Sequence, residues 1–111
     1  MDRTTHTLEE RKAREASRRQ AVADAVMEAL SRYAEAHGGR FHVVGSAVTR
    51  QMRYDSDIAV LVEFPSDCEH EAFTFVEDLC LMHRLPLDAL AFQTMSEHFL
   101  IRNADRMVTL G

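Results

Sequence analysis

Apolar side chains recur at helical spacing along the second half of the first long segment of this chain. No proline or glycine occurs between Leu8 and His37, and alanine is frequent there, which favours helix. The apolar positions on one face are Val22, Val26, Leu30 and Tyr33. Their spacing is that of an amphipathic helix, although the first half has almost no apolar stripe. Gly38 and Gly39 follow, so the sequence predicts one helix over about 8–37 that ends at these glycines.

Beyond the glycines the apolar pattern changes to short runs that are typical of strands. The first run is Phe41–Val44, and the second, Ile58–Phe64, is apolar enough to be buried on both faces of a sheet. Pro65 ends the second run. A third run, Leu87–Phe92, comes later, and Met107–Leu110 is predicted as a final extended segment.

Two segments between these runs carry the helix-start pattern S/T-x-x-E. Residues 66–69 are predicted to open a helix that runs to about Arg84. Its predicted core positions are Phe73, Val76, Leu79, Cys80 and His83. Residues 94–97 repeat the pattern and are predicted to start a last helix that ends near Asp105. The order α, β, β, α, β, α predicts an α/β (α+β) fold, a small mixed sheet of three to four strands with helices packed on it.

Composition limits the kinds of protein that this chain represents. Its 111 residues are enough for one domain, and its net charge of -5 disfavours direct binding to nucleic acid. No apolar run is long enough to span a membrane, and the N-terminus has no apolar signal region, so we expect a cytoplasmic protein. Cys68 and Cys80 fit that compartment as free thiols. The six histidines are scattered singly, which favours packed or solvated side chains over metal ligands.

Charge is distributed unevenly along the chain. Residues 1–20 contain six basic and four acidic side chains, whereas residues 21–111 contain seven basic and fourteen acidic ones. The chain is therefore divided into a basic N-terminal part of the first helix, 1–20, and a main domain, 21–111. Two interpretations of the basic part remain open. It is either a solvated helix end, frayed in part, or an arm that docks on an acidic partner.

Three features of the sequence suggest a site. Gly45-Ser46 directly follows a predicted strand, where a glycine allows close approach of the backbone and a hydroxyl suits a phosphate. Asp57 enters the next strand, and position 59 shares its face because alternate residues of a strand point the same way. Two carboxylates there would suit Mg²⁺, but position 59 is Ala59. Asp88 lies within a strand expected to be buried, where a carboxylate is costly unless it is paired or bound to a metal.

The segment GSAVTRQMRYDSDIAVLVEF resembles the signature of the polymerase-beta-like nucleotidyltransferase superfamily, specifically its minimal nucleotidyltransferases. That signature is Gly-Ser, ten intervening residues, then Asp-x-Asp entering an apolar strand, and here Asp57 follows Gly45-Ser46 at this spacing. The segment LPLDALAF places Asp88 where the family has its third carboxylate, and SEHFLIRNADRMVTL is similar to the closing helix and tail. The resemblance covers about residues 40–110. Ala59 replaces the second Asp, residues 47–50 depart from the frequent R-A-R-G pattern, and the first helix is longer than a minimal member needs.

The resemblance implies Mg²⁺-dependent transfer of AMP from ATP. Carried over by position, Gly45 and Ser46 would hold the triphosphate, while Asp57 and Asp88 would be catalytic residues that bind the metal. Ala59 marks the position of the missing catalytic Asp, so we expect an impaired enzyme. The two basic loop residues, Arg50 and Arg53, either pair with phosphate or are exposed to solvent.

Similar minimal nucleotidyltransferases often act as antitoxins beside a HEPN-type ribonuclease, some by adding AMP to one of its tyrosines. The resemblance therefore implies an AMP-transferring antitoxin that forms a complex with a HEPN-type toxin. The alternative is a catalytically inactive module that neutralises its toxin by contact only. Phe75 and Met82, outside the core face of their helix, would serve such an interface or add to the core. Transfer to a small molecule is less favoured, because it usually needs a second domain.

Overall fold

The first helix is long and capped at both ends. The computed structural model describes residues 7–111 and contains helix α1 at Leu8–His37. Thr7 caps its N-terminus, since the Thr7 hydroxyl accepts from the Glu10 amide and the Glu10 carboxylate accepts from the Thr7 amide. Gly38, at φ 74°, takes the left-handed conformation and its N–H donates to the carbonyl of Ala34. The predicted bounds of this helix are confirmed.

Four strands form one mixed sheet in the order β3-β2-β1-β4. The strands are β1 at Arg40–Val44, β2 at Ile58–Glu63, β3 at Leu87–Ala91 and β4 at Met107–Leu110. Strand β1 is antiparallel to both of its neighbours, whereas β2 and β3 are parallel and joined through helix α3 at Glu69–Met82. The predicted small α+β fold with a mixed sheet is confirmed.

The core lies between one face of the sheet and the two long helices. The fully buried side chains of the central strands are Phe41, Val43, Ile58, Val60 and Val62. Helix α1 contributes Ala23, Val26, Leu30 and Ala34, and α3 contributes Ala72, Val76 and Cys80. Burial raises the pKa of the Cys80 thiol to about 11, so this cysteine stays protonated. Two helices therefore cover one face of the sheet.

Both predicted helix starts after residue 60 are wrong in detail. Helix α3 begins after Cys68, and Ser66 does not cap it, because residues 66–68 form a turn closed by the Cys68 amide on the Pro65 carbonyl. The last helix, α4 at Glu97–Arg102, is capped by the hydroxyl of Ser96. It is shorter than predicted, since Ala104–Arg106 forms a separate 3-10 turn.

Strand β3 is an edge strand, which corrects the expectation that Asp88 is buried. Among the described residues β3 pairs only with β2, and its positions alternate between half-buried and exposed. Asp88 is exposed, because Leu87 and Ala89 are the residues that pack against the core. The carboxylate of Asp88 therefore carries no burial cost that a partner must offset.

The N-terminal part of α1 contacts the rest of the domain through Lys12, whose ammonium lies 4.8 Å from the centroid of the Tyr54 ring, and through Arg18. Arg18 donates to the carbonyls of His83 and Arg84 after α3, at 3.2 and 3.0 Å. The first six residues of the predicted 1–20 segment, which include Arg3, lie outside the described residues. No helix within 7–111 is sufficiently long and apolar to cross a membrane.

Candidate functional site

The face of the sheet opposite the long helices forms one wall of a cleft of about 380 Å³. The other wall comes from α4 and the 3-10 turn that follows it. The polar lining residues are Gly45, Ser46, Asp57, Asp88, Asn103 and Arg106. The apolar lining residues are Val44, Ala59, Leu61, Leu90 and Phe99. Five residues singled out in the sequence, Gly45, Ser46, Asp57, Ala59 and Asp88, thus lie in one cleft.

The two carboxylates flank the side chain of Ala59. Asp57 immediately precedes β2, and Ala59 is two residues further along that strand. Asp88 is the register partner of Ala59 on the parallel strand β3. Because neighbouring strands lie about 4.8 Å apart, Asp88 is beside Ala59 and diagonal to Asp57. Both aspartates are exposed to solvent, so a bound group would reach their oxygens without displacing other side chains.

The backbone of Gly45 turns sharply from β1 into the short helix α2, Ser46–Thr49. Its φ of 99° and ψ of -143° lie in a region that only glycine adopts readily. The Gly45 N–H donates to the carbonyl of Arg106 at 2.9 Å, and the Gly45 carbonyl accepts from the amides of Val48 and Thr49. The glycine is therefore needed for conformation, and it ties the turn to Arg106.

Helix α1 holds both loops that border the cleft. Gln20 donates from Nε2 to the carbonyl of Ala47 in α2, at 3.1 Å. Arg19 donates to the carbonyl of Ser56, the residue before Asp57, at 2.6 Å. Glu15 accepts two hydrogen bonds from Arg18 and one from Arg19, and these contacts lower the pKa of the Glu15 carboxyl to about 2. A cluster of ion pairs on α1 thus positions the entry to β2.

The two loop arginines proposed from the sequence do not line the cleft. Arg50 makes a bidentate ion pair with Asp24 of α1, at 3.0 and 2.9 Å. This contact lowers the pKa of Asp24 and raises that of Arg50. Arg53 is exposed and lies 3.7 Å from Asp55. Solvent exposure, one of the two interpretations left open, describes their surroundings.

Sequence reasoning missed Arg106, whose guanidinium lies near Gly45. A Cβ atom added to Gly45 would be 3.6 Å from the Arg106 Nη2 atom. Arg106 directly precedes β4, and β4 pairs with β1 with Met107 opposite Val44. Arg106 approaches Gly45 because β4 pairs with β1. The sequence predicted β4 only as an extended segment, without its partner strand.

The cleft has an apolar end beside its charged end. Leu61 of β2 and Leu90 of β3 are register partners, two residues further along the strands than Ala59 and Asp88. Phe99 of α4 lines the same cleft. A ligand with a charged part and a flat apolar part would match this distribution of side chains.

Asp57 and Asp88 are the donors in this cleft for the Mg²⁺ that the motif implies. Asp57 and Asp88 supply two carboxylates, and Mg²⁺ is commonly held by one or two carboxylates together with waters and substrate phosphates. Within residues 7–111 no group of three or more His, Cys, Asp or Glu side chains is arranged to hold a metal. Asp57 and Asp88 would therefore hold such an ion only if waters and substrate phosphates supplied its other ligands.

Comparison of the chain with protein-family models, with curated proteins and with solved structures finds no significant match. The cleft and the motif whose residues line it are the features of the chain that bear on its function.

Proposed function

We propose that this chain is a minimal nucleotidyltransferase that transfers AMP from ATP, weakened by the alanine at position 59. The observation that supports this proposal is the convergence of Gly45, Ser46, Asp57 and Asp88 on one cleft. Asp57 follows Gly45-Ser46 after ten residues and Asp88 lies on a later strand, and each of these residues alone is common at turns and strand ends. Their meeting around Ala59 is what the nucleotidyltransferase signature requires.

Each residue has a distinct role in the proposed reaction. Asp57 and Asp88 would hold Mg²⁺, which would supply charge stabilisation on the triphosphate and activation of the attacking hydroxyl. The Gly45-Ser46 turn binds phosphate oxygens through the Ser46 hydroxyl and the amides of Ser46 and Ala47, which have no acceptor within α2. Leu61, Leu90 and Phe99 offer an apolar surface for the nucleobase. Because position 59 lacks a carboxylate, the site would bind metal ions less well, and less positive charge would then face the phosphates.

The size and openness of the cleft support a protein acceptor. Its volume of about 380 Å³ is at the small end of ligand sites, so a nucleotide leaves little room for a second small molecule. Asp57 and Asp88 are exposed, and a side chain on the surface of another protein would reach them. We propose that the acceptor is a tyrosine of a HEPN-type toxin and that the reaction takes place in the cytoplasm, where the chain acts as antitoxin.

The test is incorporation of labelled AMP into a HEPN-type ribonuclease incubated with this chain, Mg²⁺ and ATP. We expect slow labelling that disappears in the Asp57→Asn and Asp88→Asn variants. Asp55→Asn is the matched control, because Asp55 is exposed on the same loop but does not line the cleft. Labelling that survives both cleft substitutions would refute the proposed roles of these aspartates.

A second candidate function is neutralisation of the toxin by contact alone. Leu81 and Met82 are adjacent at the end of α3 and are 77% and 72% exposed. Phe75 is not available in the same way, because its ring stacks on Tyr33 at 4.1 Å between centroids. This alternative predicts a complex that Leu81→Ser and Met82→Ser weaken, that Asp57→Asn leaves unchanged, and in which no AMP is transferred.

A further inference from the structure

Arg106 presents an unused positive charge to the charged end of the cleft. Within residues 7–111, its side chain makes no hydrogen bond or ion pair, and it is the one arginine or lysine that lines the cleft. Three other arginines of the domain are engaged by protein groups. Arg18 and Arg19 donate to Glu15 and to backbone carbonyls, and Arg50 is paired with Asp24. The guanidinium of Arg106 is therefore available to an anion.

The position of Arg106 is fixed by its backbone and not by its side chain. Its carbonyl accepts the N–H of Gly45 at 2.9 Å, next to the turn that would bind phosphate. The nearby Nη2 atom lies 3.6 Å from the place where a Gly45 Cβ would stand. Because the anchor is a backbone hydrogen bond, a change of the Arg106 side chain leaves it intact.

The charge of the cleft makes an additional cation useful. Asp57 and Asp88 bring two negative charges to a site that would receive a triphosphate. With alanine at position 59, the site has one ligand fewer for a metal ion. It would therefore bind less positive charge in the form of metal ions. Arginine carries a permanent charge and a planar set of donors that matches two phosphate oxygens at once.

Resting on the nucleotidyltransferase function proposed above, we propose that Arg106 binds the phosphate chain of the nucleotide substrate. The positive charge of Arg106 offsets negative charge on the phosphates. A metal ion held by a third carboxylate at position 59 would otherwise offset that charge. Arg106 is a binding residue for polyphosphate, and it makes no contact with the nucleoside part.

The experiment measures binding by calorimetry of ATP, inorganic tripolyphosphate and adenosine, each with Mg²⁺. Arg106→Gln should weaken ATP and tripolyphosphate by about tenfold to a hundredfold, as expected for loss of a charged hydrogen-bond donor. It should leave adenosine unchanged. Arg106→Lys keeps the charge without the planar fork and should give an intermediate loss. The matched control is Arg102→Gln, because Arg102 is exposed on α4 and does not line the cleft.

The outcomes separate this inference from the function on which it rests. If ATP binds and Arg106→Gln binds it equally well, Arg106 has no such role, although the nucleotidyltransferase proposal survives. An equal loss in Arg102→Gln would also overturn the inference, because the effect would then come from general charge. If neither the present chain nor its Ala59→Asp variant binds ATP, the proposed function fails and the inference fails with it. Thermal melts of all variants establish that each is folded.

Discussion

Replacing Ala59 by aspartate tests the catalytic interpretation most directly. The side chain at 59 points into the cleft, beside Asp88 on the next strand and two residues from Asp57. Strand geometry places the new carboxylate about 5–7 Å from each of the others. At such distances two like charges repel by about 0.7 kcal/mol in water and about 3 kcal/mol at an effective dielectric of 20. Because the cleft is open, the lower value applies to each pair.

We therefore expect the variant without metal to lose about 1–2 kcal/mol of stability, which lowers the melting temperature by about 5–10 °C. Mg²⁺ at a hundred times its dissociation constant would return about 2.7 kcal/mol. Metal should thus raise the melting temperature of Ala59→Asp far more than that of the present chain. A gain of about 4 kcal/mol in transition-state stabilisation corresponds to roughly a thousandfold faster labelling of the partner.

Ala59→Asn is the matched control, since asparagine has nearly the same shape as aspartate but no charge. It should show neither the metal-dependent rise in melting temperature nor the gain in labelling. An Ala59→Asp variant that stays inactive with ATP, with other nucleotides and with its true partner would refute the catalytic reasoning. Contact-only neutralisation would then be the better proposal. A metal effect equal to that of Ala59→Asn would refute the placement of a metal at Asp57 and Asp88.

Two further predictions concern the framework of the cleft. Gly45→Ala should lower the free energy of unfolding, measured by chemical denaturation, by about 1–3 kcal/mol and should weaken ATP binding, because alanine is strained at φ 99°. Its control is Gly38→Ala, at a left-handed cap with open space around it, which should lower the free energy of unfolding by only about 1 kcal/mol. The pKa of the Glu15 carboxyl is lowered in the folded state, so its contribution is present above about pH 4.5 and is lost as the pH falls toward 2. Glu15→Gln should therefore lower the free energy of unfolding by about 1 kcal/mol at pH 7, after solvent screening, and by less at pH 3. The control Glu28→Gln, at an exposed ion pair, should change it by close to nothing. An equal decrease for Glu15→Gln at both pH values would contradict this assignment.

Periodicity predicted the parts of the fold whose signals are local. Helix α1 has uninterrupted helix-forming sequence and a glycine at its end, and the apolar run of β2 marks a central strand. The start of α3 was not predictable from its capping pattern, because Pro65 and Cys68 close a turn that competes with a cap at Ser66. Local patterns thus identify the presence of an element more reliably than its first residue.

The site required information that no single segment contains. The burial of Asp88 depends on whether β3 is central or at the edge, and four similar apolar runs do not specify their order in the sheet. Arg106 was missed for the same reason, since it approaches Gly45 only because β4 pairs with β1. Asp57 was found because its motif is compact, and spacing along one chain segment is preserved whatever the strand order.

The basic N-terminal segment is connected to this site through specific contacts. Its basic charge suggested an arm for an acidic partner, yet Arg18 and Arg19 are engaged by Glu15 and by carbonyls of the domain itself. Arg19 bonds to the residue before Asp57, and Gln20 bonds to α2 directly after the Gly45-Ser46 turn. A partner that bound this part of α1 would therefore act on the two loops that carry the proposed phosphate and metal ligands. Docking and catalysis would be coupled through α1. If docking broke the hydrogen bonds of Arg19 and Gln20 to these loops, the geometry of the cleft would change as well.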